Sequence, residues 1–79
     1  MQFYYIVWQK ARDGLVEPIM TKSPAGITSS EWAREDARAW VLEHNIPAHT
    51  LEVTSEDGTV SEEWRWRRKK WTAPDTQNP

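Results

Sequence analysis

The apolar positions of this chain repeat first with period two, then with the helical period, then with period two again. Between Gln2 and Ile19 the chain reads QFYYIVWQKARDGLVEPI, with β-branched and aromatic residues on both sides of Asp13-Gly14. That pair tolerates the positive φ of a tight turn, so a β-hairpin is predicted. With Asp13 and Gly14 as the whole loop, Lys10 faces Glu17, Trp8 faces Ile19 and Val7 faces Met20, which matches opposite charges and apolar partners. Pro18 has no amide hydrogen and marks the second strand as a sheet edge.

The helical period runs through ITSSEWAREDARAWVLEHNIP. Thr28 is expected at the N-cap with Glu31 as its capping-box partner, and Ile27 with Trp32 as a hydrophobic staple. Asn45 suits a left-handed closing residue, Ile46 can reach back to Val41, and Pro47 stops the helix. Ala33, Ala37, Trp40, Val41 and His44 share the stripe expected to lie on a sheet, which makes His44 a hydrogen-bonded structural residue. Arg34, Glu35, Arg38 and Glu43 fall on the outer side, and Ala39 and Leu42 lie off the stripe.

Period two returns in AHTLEVTSEDGTVSEEWRWRR, around Asp57-Gly58. This register sets Leu51 against Trp64, Ser55 against Val60 and His49 against Trp66, so that the apolar residues of both strands share a side; a one-residue slip would reverse them. The predicted architecture is α+β: ββαββ, a four-stranded antiparallel sheet in spatial order 4-3-1-2 with one helix on one face. Residues 1–71 form a single domain, and 72–79 a disordered polar tail.

Alternation leaves more apolar side chains than one helix can cover. Phe3, Tyr5, Val7, Ala11, Val16 and Met20 point one way; Tyr4, Ile6, Trp8 and Ile19 point the other. One of the two sets stays open to water, and an open patch of that kind on a small protein marks an interaction site.

Composition sharpens this picture. A chain of 79 residues has little room for a core, and below about 80 residues a single core supplies only about 3–5 kcal/mol. With no cysteine, no disulfide can support it. Six tryptophans can thicken it, because each enclosed aromatic ring buries about 150–250 Å².

The net charge of -2 hides a segregation: residues 1–64 hold five cations and eleven anions, whereas residues 65–79 hold five cations and one anion, Asp75. The cations Arg65, Arg67, Arg68, Lys69 and Lys70 sit in WRWRRKKW, between Trp64 and Trp71. Trp64 and Trp66 are expected to turn inward and Arg65 and Arg67 outward, with Glu52 directly opposite Glu63. Trp71 is the aromatic of this stretch left over for contact with a partner.

Chemistry-bearing patterns are absent. There is no glycine-rich phosphate loop, nucleophile elbow or cysteine nucleophile. His44 and His49 match no metal-ligand spacing, and Glu35-Asp36 and Glu62-Glu63 each point to opposite sides of their elements. The expectation is a non-enzyme without cofactor or metal. No secretory leader or membrane span is read, so a cytoplasmic protein is expected.

In organisation the chain resembles the small proteins with which bacteriophages disable host machinery, the anti-CRISPR proteins and the inhibitors of host RNA polymerase. The likeness rests on the opening strand MQFYYIVWQ, its hairpin, the helix SSEWAREDARAWVLEHN and further strand with segregated charge. It implies an inhibitor acting in the host cytoplasm on a protein or ribonucleoprotein complex, in evasion of host defence, by mimicking or competing with nucleic acid. The strand-rich start and TSSEWAREDARAWVLEHN are also similar to the N-terminal DNA-binding domains of phage integrases. Those carry three basic strands before the helix, whereas this chain has two, with Lys10, Arg12 and Lys22.

Three functions are thus expected in order. The first is a non-catalytic inhibitor that docks on a host complex through the aromatic face and the basic strand. The second is direct nucleic-acid binding through Arg65, Arg67, Arg68, Lys69 and Lys70, with Trp71 for stacking. The third is a homodimeric assembly protein pairing through Tyr4, Ile6, Trp8 and Ile19.

Overall fold

The computed structural model describes residues 1–19 and 26–73. Five strands and a helix follow one another as β1 Phe3–Lys10, β2 Val16–Ile19, α1 Ser30–His44, β3 Ala48–Ser55, β4 Ser61–Arg67 and β5 Lys70–Thr72. All neighbouring strands are antiparallel, in the order β2-β1-β3-β4-β5. The expected four-strand order is retained, and β5 extends it by one strand beyond β4. Thr72, assigned to the tail, belongs to β5; residues 74–79 of that tail lie outside the described residues.

β5 exists because Arg68 and Lys69 form a two-residue turn with φ of 52° and 66°. Both values are positive, as a type I′ hairpin requires, although neither residue is glycine, asparagine or aspartate. The turn sets Trp71 opposite Trp66 and Lys70 opposite Arg67.

The first hairpin differs from expectation by one residue. Val7 pairs with Ile19, Trp8 with Pro18, Gln9 with Glu17 and Lys10 with Val16. The loop is longer than Asp13-Gly14: Ala11 donates to the Leu15 carbonyl at 2.7 Å, and Gly14, with φ of 89°, donates back to the Ala11 carbonyl. Asp13 Oδ1 accepts from the Leu15 amide and stabilises this wider turn. Because side chains alternate, the slip exchanges Ile19 and Val16 between the two faces. Met20 lies outside the described residues.

The second hairpin has the expected register, with Leu51 opposite Trp64 and Glu52 opposite Glu63. Ser55 donates its amide to the Val60 carbonyl, closing the loop at the expected pair. Asp57 Oδ1 accepts from the Thr59 amide, the Thr59 hydroxyl and the Ser55 hydroxyl, and these bonds, those to Thr59 foremost, hold its carboxyl below the usual carboxylate range. The β3–β4 ladder ends at Thr50–Arg65, one pair short of the expected His49–Trp66, because β3 shifts register against β1 between Thr50 and Ala48.

One face of the sheet carries Phe3, Tyr5, Val7, Leu51 and Val53, buried beneath Ala33, Ala37 and Val41 of α1 and beneath Ile27, which precedes the helix. Fully burying a side chain of this kind stabilises by about 1.5–3 kcal/mol. Ile19, Trp40, Trp64, Trp66 and Trp71 pack around that centre. The two alanines facing the sheet let the backbone of α1 approach closely, and the tryptophans fill its margins.

Polar bonds fix the helix on the sheet. The Tyr5 hydroxyl donates to Asp36 Oδ2, while Glu62 Oε1 accepts from the Ser30 hydroxyl and from Trp64 Nε1. The N-cap is Ser29, one residue beyond the expected Thr28; its hydroxyl accepts from the Trp32 amide at 3.0 Å. Glu31 thereby falls one position short of a capping box. Trp32 is 51% exposed rather than stapled to Ile27. At the other end Asn45, with φ of 52°, closes the helix onto the Val41 carbonyl as expected. His44 lies in the open instead of beneath the helix, 3.3 Å from Glu43 and tilted against Trp40.

Candidate functional site

The sheet face turned away from α1 has no second layer among the described residues. Strand alternation places Tyr4, Ile6 and Trp8 of β1 there, with Val16 and Pro18 of β2 beside them. Tyr4 is 44% exposed, Ile6 39% and Val16 44%. Thr50, Glu52 and Thr54 continue this face across β3, then Ser61, Glu63 and Arg65 across β4. Trp8, Val16, Thr50, Glu52 and Glu63 line a shallow depression of about 250 Å³.

The expected aromatic patch is therefore present with one change of membership. Tyr4, Ile6 and Trp8 remain together, but Ile19 lies on the opposite face against the core, and Val16 takes its place. The cause is the three-residue loop of the first hairpin, which the Asp-Gly pair alone does not reveal.

Charge on this face is mixed. Glu52 and Glu63 are directly opposed, and like charges so placed repel each other. Among the described residues neither forms a salt bridge. Arg65 lies two residues further along β4 on the same face, opposite Thr50 and Thr72. The face thus grades from apolar at β1 and β2, through two carboxylates, to cations at β4 and β5.

The β4–β5 hairpin collects the basic residues. Arg65, Arg67, Arg68, Lys69 and Lys70 are all exposed, and Arg68 and Lys69 form the turn itself. Arg38 of α1 donates from Nε to the Lys69 carbonyl at 2.8 Å, anchoring the turn to the helix. Trp71, expected to be free for stacking on a partner, is half-buried on the helix side, its ring 4.7 Å from that of Trp66 in an edge-on arrangement. Arg34, expected on the outer surface of the helix, stacks its guanidinium over Trp64 at 4.2 Å. The alternation of Trp64 and Trp66 with Arg65 and Arg67 was visible in the sequence. The left-handed turn that brings Trp71 back beside Trp66 carries no residue that announces it.

Among the described residues no group of three or more His, Asp or Glu side chains is placed to hold a metal ion. No helix among them is long and apolar enough to cross a membrane. Compared with protein-family models, curated proteins and solved structures, the chain matches none of them.

Proposed function

We propose that this chain is a non-catalytic binding protein whose open sheet face and basic β4–β5 hairpin dock together on a protein partner. The observation that carries this reading is the uncovered face itself: exposed Tyr4, Ile6 and Val16 adjoin the opposed pair Glu52 and Glu63 and the cation Arg65. Such a surface complements one that offers apolar contact, a positive group over the two carboxylates and acidic groups opposite the arginines. A polyanion alone is a poorer match, because phosphates crossing the face from Arg65 toward Trp8 would pass the carboxylates.

The finer form of this proposal follows the likeness to phage inhibitors: the partner is a host nucleic-acid-processing complex, and the bound protein occupies a surface that nucleic acid otherwise uses. A tagged pull-down from nuclease-treated bacterial lysate tests it. The wild-type chain is expected to retain a partner that a triple variant, Arg65→Glu, Arg67→Glu and Arg68→Glu, loses. Equal recovery by both proteins, or loss of the partner on nuclease treatment, would count against protein docking.

The second reading, direct nucleic-acid binding, is favoured by one observation: five exposed cations share one hairpin. If all five meet phosphates, log affinity falls with log salt at a slope of about -3.5 to -4.5. The homodimer reading uses the same apolar face without Ile19, and sedimentation equilibrium over a range of concentrations decides it.

A further inference from the structure

The two edges of the sheet offer a neighbour different things. At one edge β2 runs through Pro18, which has no amide hydrogen, so a strand approaching from that side finds a donor missing. At the other, β5 is Lys70, Trp71 and Thr72, each with its amide. Arg67 and Lys70 close the two-residue turn as a bonded pair, and ladder bonds alternate along an antiparallel pair. The Trp71 N–H and C=O are therefore turned outward, away from β4. Among the described residues no turn, cap or side-chain hydrogen bond takes them up; Arg38 donates to the Lys69 carbonyl and Thr72 to that of Arg65.

The side chains beside this edge carry one sign. Arg67 stands directly opposite Lys70, and Arg65 lies two residues away along β4, all three on the face turned away from α1. Like charges set opposite each other across a ladder repel, and among the described residues none of the three forms a salt bridge. A second copy pairing through its own β5 would add to that repulsion, so the cations keep this edge from pairing with itself. An acidic strand would relieve it.

We propose that the β5 edge takes up an extended acidic segment of a partner protein as a further strand, hydrogen-bonded to the Trp71 main chain, with carboxylates beside Lys70 and Arg67. In pairing of this kind main-chain bonds give affinity, and alternate side chains give selectivity. On the helix side the added strand runs past Trp71, where Arg34, Glu35 and Arg38 border a groove of about 300 Å³ that leaves room for its other side chains. The inference rests on the reading that the hairpin docks on a protein, and it names the element that is docked.

The experiment is a titration of the full-length, ¹⁵N-labelled protein with a synthetic peptide of alternating Glu and Thr, followed by NMR. The backbone amides of β5 are expected to shift saturably, and the Trp71 amide to exchange with solvent more slowly once it is bonded. A strand turns only every second N–H toward a given neighbour. Methylating one alternate set of peptide amides should therefore raise the midpoint about tenfold, the effect of a lost hydrogen bond, and methylating the other set should leave it unchanged. Lys70→Glu, at an exposed position, should raise it about fivefold, and a peptide of alternating Lys and Thr should bind that variant more tightly than the wild type.

Saturable shifts at Tyr4, Ile6 and Trp8 without any at β5 would place the peptide on the open face, which agrees with the docking reading but overturns strand addition. Equal effects of the two methylations, no saturable shift at Trp71, or the same midpoint for the Glu and Lys peptides on the wild-type chain would also overturn it. The docking reading is decided separately, by the pull-down.

Discussion

The Tyr5 hydroxyl donates to Asp36 Oδ2 across 2.7 Å, joining a central strand of the sheet to the middle of the helix that covers it. Burial first, then the bond to Asp36 and the charge of that carboxylate, push the phenol above its ordinary value of 10.0. Below that value the phenol is neutral in both folded and unfolded chains, and its contribution to stability is complete. Above it the unfolded chain ionises first, so unfolding releases a proton and stability falls as pH rises. Tyr5→Phe is expected to lose about 1.5–3 kcal/mol at pH 7, the worth of a hydrogen bond to a charged group. The gap between variant and wild type should narrow above pH 10, which urea melts at a series of pH values will measure. A gap that stays constant would show that Tyr5 does not titrate as described.

Arg68 and Lys69 hold the left-handed conformation without the residues that favour it, and for an ordinary L-residue this costs about 1–2 kcal/mol. Replacing the pair by Asn-Gly supplies the preferred type I′ turn. Allowing for the extra freedom that glycine gives the unfolded chain, a net gain of about 1 kcal/mol is expected, or a rise in Tm of about 4–8 °C for a domain of this size. The same change removes two of the five cations of the hairpin, so partner capture should weaken while the protein becomes more stable. Calorimetry and the pull-down together check whether charge at this tip is kept at the expense of stability.

The turn at Arg68-Lys69 also marks where the sequence is hardest to read. Hairpins are recognised by residues that adopt positive φ easily, and Asp57-Gly58 with the alternation of Leu51, Val53, Trp64 and Trp66 leaves a single register that buries the apolar side. Asp13-Gly14 gives the same signal, but there the wider loop wins because Asp13 bonds to the Leu15 amide and Gly14 closes back on Ala11. A one-residue difference in loop length then moves Ile19 and Val16 to opposite faces. β5 carries no turn signal at all, and its cations resemble a solvated chain end. Thr28, Ser29 and Ser30 are all good caps, so propensity could not choose among them, and tertiary contacts did: Ser30 bonds to Glu62. The open face was legible for a simpler reason, since strand alternation supplies two apolar sides whatever the loop length.

Two apolar residues that look equally important in sequence should behave very differently. Leu51 is fully buried between the helix and the sheet, and Trp32 projects into solvent from the first turn of α1. Leu51→Ala is expected to destabilise by about 2–5 kcal/mol through lost contact and a cavity. Trp32→Ala, with no cavity to leave, should change stability by no more than about 0.5 kcal/mol. A large loss in the Trp32 variant, measured by denaturant melts, would restore the hydrophobic staple that the exposed ring argues against.

Glu63→Gln gives the most direct separation of the two binding readings, because it alters charge at the centre of the open face with little change of shape. Glu63 stands opposite Glu52 in the β3–β4 ladder, so removing its charge relieves a cross-strand repulsion and should raise stability by about 0.2–1 kcal/mol. A protein partner that places a positive group over these carboxylates loses attraction in the variant, and its affinity should fall. Phosphates approaching Arg65 lose a repulsive neighbour, and nucleic-acid affinity should rise. Thermal melts establish the first effect on the isolated chain. Titration of the captured partner and of a single-stranded oligonucleotide then gives two slopes of opposite expected sign: weaker partner binding supports docking through this face, whereas unchanged partner binding with tighter oligonucleotide binding assigns the hairpin to nucleic acid.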